Sequence, residues 1–200
     1  MKVIKMVLND NATNTYVVIG DGEAVVIDPS SNAKFLIDYL SQENVKTIHV
    51  LLTHGHYDHI GAVADLQSYG AKIYMSSLDY ELIDFGEAYG LFSSRDKFEL
   101  DNPVVDGDVL SLAGHEFKVI STPGHTPGSV CYIMDGLIMF SGDTLFKNSI
   151  GRTDFEYGDF STMNKSLKKL VELDGDYSIL SGHGEETTLD CERKDNPYVN

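Results

Sequence analysis

Long apolar runs are missing from this chain, and no stretch approaches the roughly 20 residues that a bilayer-spanning helix needs. The opening segment, Met1-Lys2-Val3-Ile4-Lys5-Met6-Val7-Leu8-Asn9-Asp10, is broken by Lys5 and turns polar at Asn9, so it lacks the uninterrupted core of an export signal. Cysteine is scarce as well. Cys131 and Cys191 stand far apart in no C-x-x-C arrangement, which excludes a disulfide framework or a zinc ribbon and fits reduced thiols in the cytoplasm. Basic residues number 15 against 31 acidic ones, a formal charge of −16 that argues against nucleic acid and against anionic membranes as partners. The acidic excess reads as solvated surface charge that keeps the chain soluble. No Pro-rich or Gly/Ser-rich linker divides the 200 residues, and 42% apolar composition suffices for one sizeable core. The expectation is a single domain over residues 1–200.

What is present concentrates in one place. His54-Gly55-His56-Tyr57-Asp58-His59 packs three imidazoles and a carboxylate into six residues after an apolar run, without helical register, and reads as a ligand-bearing loop. Nitrogen and oxygen donors of this kind suit zinc, manganese or iron and disfavour thiolate chemistry. His125 lies in the proline-braced turn Thr122-Pro123-Gly124-His125-Thr126-Pro127-Gly128-Ser129. Asp143 follows the apolar run Leu137-Ile138-Met139-Phe140, and His183 follows Tyr177-Ser178-Ile179-Leu180. Each of these residues sits where a strand ends or begins, so the loops can converge. His49, within Thr47-Ile48-His49-Val50-Leu51-Leu52, reads as a packed structural histidine, and His115 as a solvated residue in a polar turn.

Between these points the pattern alternates. Val3–Leu8, Thr15–Ile19 and Ala24–Asp28 read as an opening meander turned at Asp21-Gly22, followed by a helix over Ala33–Leu40. The strand from Thr47 delivers the histidine loop, Ile60–Tyr69 reads as a helix stopped by Gly70, and Ala71–Met75 as a strand. Leu78–Tyr89 reads as a helix or paired short helices and Phe92–Asp101 as an exposed excursion. Val109-Leu110, Phe117–Ile120, Ser129–Met134 and Leu137–Phe140 follow as strands, then a helix at Thr162–Leu173 and the last strand. From these alone the fold class is α/β or α+β.

These elements together resemble the metallo-β-lactamase superfamily over about residues 1–183. The resemblance implies a four-layer αββα sandwich and a centre for two divalent metal ions, zinc first and iron or manganese as alternatives. It places His54, His56 and His125 on one metal, Asp58, His59 and His183 on the other, and Asp143 between them. Asn14-Thr15-Tyr16-Val17-Val18, Val26-Ile27-Asp28-Pro29, Gly142-Asp143-Thr144-Leu145-Phe146, Gly151-Arg152-Thr153-Asp154-Phe155 and Glu192-Arg193-Lys194-Asp195-Asn196-Pro197-Tyr198 resemble the glyoxalase II-like branch, in its form without a helical C-terminal glutathione-binding domain. That implies thioester hydrolysis, with a metal-bridged hydroxide attacking a carbonyl carbon and Asp58 orienting it. Asp28 is implied as a supporting carboxylate. The substrate expected is a small molecule, an acylated thiol. Arg152, Phe146 and Tyr57 are candidates to meet it, against a reading in which Arg152 pairs with Asp154 to brace its own loop. Ser129 reads as a strand start and Cys131 as a buried apolar group. The alternatives are a persulfide dioxygenase using one iron on His54, His125 and Asp143, a lactonase sharing every ligand, and a metal-binding module without catalysis.

Overall fold

Tyr16, Val17 and Val18 are consecutive and all buried, which a strand permits only when both of its faces are covered, because successive side chains point opposite ways. The computed structural model, which describes residues 2–83 and 97–199, meets that demand with two facing six-stranded sheets. The first runs in the order β1 (Lys2–Val7), β2 (Asn14–Gly20), β3 (Glu23–Ile27), β4 (Thr47–Leu51), β5 (Lys72–Met75) and β6 (Asn102–Pro103). β1 to β3 form the expected antiparallel meander, turned at Asp21 and Gly22, both at positive φ as a tight hairpin of the favoured hand requires. From β3 onward the neighbours are parallel, with α1 (Ala33–Gln42), α2 (Tyr57–Ile60) and α3 (Val63–Ser68) in the crossovers and α4 (Ser77–Leu82) after β5.

The second sheet begins with β7 (Val109–Leu112), β8 (His115–Ser121), β9 (Val130–Met134) and β10 (Ile138–Gly142). A ribbon of β11 (Leu145–Phe146) and β12 (Ser149–Ile150) and the helix α5 (Phe160–Val171) precede β13 (Ser178–Ser181), β14 (Thr187–Thr188) and α6 (Leu189–Asp195). The spatial order is β14-β13-β10-β9-β8-β7, in which β10 and β13 are parallel.

Three apolar clusters define the layers. Tyr16, Val18, Val25, Ile27 and Leu51 of the first sheet meet Phe117, Val119, Tyr132 and Phe140 of the second. Outside the first sheet, Val17, Val26, Val50 and Ile73 lie beneath Leu36 and Leu40 of α1 and Val63 and Leu66 of α3. Outside the second, Cys131, Ile133, Met139 and Ile179 lie beneath Met163, Leu167 and Leu170 of α5 and Leu189 of α6. The layers are therefore helix, sheet, sheet, helix. Buried residues recur on α5 at helical spacing, each such leucine contributing about 2 kcal/mol by burial. The helix opens where the Asp159 carboxylate accepts the Thr162 N–H at 2.7 Å.

Four expectations change. The helix expected over 60–69 is two short ones, because Gly61 lies flat against the Ser30 carbonyl and the Ala62 N–H is taken by the Pro29 carbonyl instead of a helical partner. α2 also begins inside the histidine motif, so Asp58 and His59 sit on a helical turn and not in irregular loop. Phe98 is buried against the Tyr80 ring rather than part of an exposed excursion, and Asp101 accepts from Lys72, Gln67 and the Ile73 N–H. The helix expected to run to Tyr89 is described only as α4, and its remainder, like the part of the excursion over 92–96, lies outside the described residues. His115 is the first residue of β8 and bonds Asp135 at 2.6 Å, because the antiparallel partner strand ends beside it. Among the described residues no helix is long and apolar enough to cross a membrane.

The parallel strands do most to build a site. Asp28 follows β3, His54 follows β4, Asp143 follows β10 and His183 follows β13, so the carboxyl ends of four parallel strands deliver their loops to one end of the sandwich.

Candidate metal centre

The histidines at this end are held from behind. The Thr53 hydroxyl donates to Asp28 Oδ2 at 2.7 Å and so accepts from His54 Nδ1 at 3.0 Å. His59 Nδ1 donates to the same Asp28 oxygen at 3.0 Å, and His125 Nδ1 donates to the Arg152 carbonyl at 2.6 Å. With each Nδ1 spent on an acceptor, each Nε2 carries a bare lone pair turned inward. Asp28 adopts φ 49°, unusual for a residue with a side chain, and its other oxygen accepts the Thr53 N–H at 2.8 Å. Its carboxylate is thereby fully used as an orienting group, as the family resemblance implied.

Inward of that layer the donors form two triads. The ligand atoms of His54, His56 and His125 lie within 4.8 Å of one another, and so do those of Asp58, His59 and His183. Asp28, His54 and His59 satisfy the same distance, but Asp28 already has its partners. Asp143 stands between the first two sets: Oδ2 is 3.5 Å from both His125 Nε2 and His183 Nε2, and Oδ1 is 3.5 Å from His59 Nε2. A side chain at Gly182 would strike the Asp143 carboxylate and the His59 ring, so this close approach demands glycine.

Charge is divided between the triads. Burial, reinforced by the neighbouring imidazoles, holds His54 well below its ordinary value and His56 at about 4. Burial pushes the same way on His59 and His183, but carboxylates overturn it. Asp143 and Asp28 raise His59, while hydrogen bonds to Asp143 and Asp58 lift His183 to about 10. Burial would raise both carboxyls, yet His183 and His59 hold Asp58 and Asp143 below the usual range.

His54 Nε2, His59 Nε2, His125 Nε2 and Asp143 Oδ1 are buried without a hydrogen-bond partner. Buried polar atoms are paired in the great majority of cases, and four unpaired lone-pair donors facing one another suit a positive ion. All are nitrogen or oxygen, which matches zinc, iron or manganese. The residues present therefore fit a bound divalent metal.

Around the triads, Phe155 meets His56 and His125 edge-on with ring centroids 5.8 and 6.3 Å apart, and Phe146 meets His183 at 6.1 Å. Arg152 spends its fork on Asp154 at 2.9 and 2.8 Å and lies 4.0 Å over the Phe155 ring, which is the loop-bracing arrangement. Tyr57 is exposed at the rim and accepts the Asn11 amide at 2.9 Å. Ser129 and Cys131 are buried and point elsewhere: Ser129 Oγ bonds Thr126, and Cys131 lies against Thr122.

Three supporting residues escaped the sequence reading: Thr13, Thr53 and Asp79. The Thr13 hydroxyl donates to Asp58 Oδ2 at 2.9 Å, and Thr13 pairs with His183 in a lone β-bridge. The sequence signal at Asp79 is Ser76-Ser77-Leu78-Asp79, the spacing of a helix capping box, which points to a local role.

The profile of the metallo-beta-lactamase superfamily matches residues 8–183. The hydroxyacylglutathione hydrolase GloC of Haemophilus influenzae is 38% identical over 186 residues, covering 88% of this chain and 87% of the relative. The crystal structure of the B3 metallo-beta-lactamase BLEG-1 superposes with a TM-score of 0.85 at 32% identity, covering all of both chains. TTHA1623, solved in a di-iron-bound form, does so at 0.85 and 33%, covering 98% of this chain and 99% of that one.

Proposed function

The chain belongs to the metallo-β-lactamase superfamily, whose members are generally metal-dependent hydrolases, and on that premise we propose that it is a thioester hydrolase of the hydroxyacylglutathione hydrolase type. The reading takes residues 1–200 as one domain, in the cytoplasm, acting on a small acylated thiol. His54, His56 and His125 would hold one divalent ion, Asp58, His59 and His183 the other, with Asp143 shared. Zinc is the first expectation, and iron is the metal of a solved relative. The observation that carries the reading is the convergence of four buried, unpartnered donor atoms on one point.

Two such ions supply Lewis acidity toward a carbonyl oxygen and bring the pKa of water near neutrality. The chain's own residues do the rest. Asp58 is steadied by the Thr13 hydroxyl and lies 3.4 Å from His183 Nε2, which sets its carboxylate to orient the attacking water. Phe155 on one side and Phe146 on the other wall the centre with apolar surface, keeping bulk water from the scissile bond. Arg152, with its fork on Asp154, fixes Phe155 from outside. A thiolate leaves readily, so no residue is needed to protonate it.

The test pairs metal analysis of purified protein with thiol release from S-lactoylglutathione. Two metals per chain with release is the expected result. One iron per chain, with oxygen consumed in the presence of glutathione persulfide and no release, would establish the dioxygenase instead, and tight binding without turnover a module that only holds metal.

A further inference from the structure

Asp79 is almost fully buried, and its carboxylate serves two loops that lie far from it in sequence. Oδ2 accepts the Gly55 N–H at 2.9 Å and the Thr126 hydroxyl at 2.7 Å, and Oδ1 accepts the Gly128 N–H at 2.6 Å. Gly55 separates His54 from His56, and Thr126 and Gly128 closely follow His125. All three of its partners therefore lie on the loops of the first triad, and none on the loops of the second. A Cβ at Gly128 would come within 2.6 Å of Asp79 Oδ1 and its backbone N, so the approach of that turn to α4 is as close as glycine allows.

We propose that Asp79 is the positioning residue of the first half of the centre, a clamp that sets the spacing of the His54-Gly55-His56 loop against the His125 turn. Asp79 touches no reacting atom and acts through two backbone N–H groups and one hydroxyl. The clamp rests on the assignment of the first triad to a metal. The imidazoles it spaces are in direct contact, with His56 and His125 centroids 4.6 Å apart. Three donors on two loops converge on one carboxylate, so removing an acceptor frees the loops to separate and leaves N–H groups unsatisfied. Asp28 stands behind both triads, reaching His54 through Thr53 and His59 directly, whereas Asp79 serves the loops of the first triad alone. An amide at position 79 has the right size but turns an N–H toward at least one of the three donors.

The experiment uses the full chain stripped of metal and titrated with Co²⁺, in two backgrounds that isolate each half. With His183→Ala the first triad is read, and with His56→Ala the second. Asp79→Asn is expected to weaken Co²⁺ binding roughly 10- to 100-fold in the His183→Ala background and to leave it unchanged in the His56→Ala background. Thr126→Val, which removes one donor and keeps the carboxylate, is expected to show a smaller loss in the same background only, and it decides the matter where Asp79→Asn does not fold. Equal losses in both backgrounds, the signature of a purely structural role, overturn the clamp, as does unchanged affinity in both. A wild-type chain that takes up no Co²⁺ overturns the metal centre itself and the clamp with it.

Discussion

At one end of the sandwich His54, His59 and His125 turn buried Nε2 atoms that no hydrogen bond engages toward one another and toward Asp143; toward the other, His49 Nδ1 bonds the Tyr74 hydroxyl at 3.2 Å and His115 Nδ1 the Asp135 carboxylate at 2.6 Å. The residue type is the same and the grouping differs. At the far end each imidazole stands by itself: His49 Nε2 too is buried without a hydrogen bond, 3.5 Å from the Glu23 carboxylate, but among the described residues it joins no cluster of donors. At the near end the backs of the rings are satisfied by Thr53, Asp28 and a carbonyl, while the fronts are left to one another. A histidine is poised for a metal when its unengaged nitrogen shares a point in space with other unengaged donors.

The hardest test of that contrast is Asp143→Ala. Removing the carboxylate shared by both triads is expected to lower metal content and to cut kcat/KM on the order of 10³-fold, since metal polarisation is worth several kcal/mol. Unchanged activity would erase the distinction between the ends. Stripping metal with a chelator comes next. At a thousandfold excess over Kd a ligand contributes about 4 kcal/mol, so calorimetry is expected to show the melting temperature falling by roughly 8 to 16 °C for a chain of this size. Thr13→Val keeps the shape but removes the hydroxyl that steadies Asp58, and competition titration is expected to show a 10- to 100-fold loss of affinity at the second triad. The smallest effect belongs to the far end. His49→Gln is expected to cost about 1 kcal/mol in denaturant unfolding and to leave kcat/KM within twofold, and a large fall in activity would show that the two ends are coupled.

The loops that carry the clustered histidines and aspartates were legible in the sequence because possible metal donors are few residue types at short spacing next to strands. The opening meander of β1, β2 and β3 was legible too, since Asp21-Gly22 between two apolar runs acts locally. What escaped depended on distance along the chain. Asp79 reaches Gly128 and Thr13 reaches Asp58 across separations of 49 and 45 residues, and neither an aspartate nor a threonine is distinctive until its partner is known. α2 is four residues long, too short for a 3.6-residue period to register. Phe98 hides among charged neighbours, and its burial is set by Tyr80 and the first sheet's outer core, not by any pattern of its own.

The start of β2 is stapled to the end of β13. Asn14 N–H donates to the Gly182 carbonyl at 2.7 Å, the Tyr16 hydroxyl and the Asn14 amide both donate to Ser181, and Thr13 bridges His183. The second triad thus joins residues far apart in the sequence, with His183 following β13 and held beside the start of β2. On the proposed ligand assignment that half of the centre is complete only once this seam has closed, so metal would fill it after a long-range contact forms and would not guide that contact. Metal in the second triad would then report that the seam between β2 and β13 has closed.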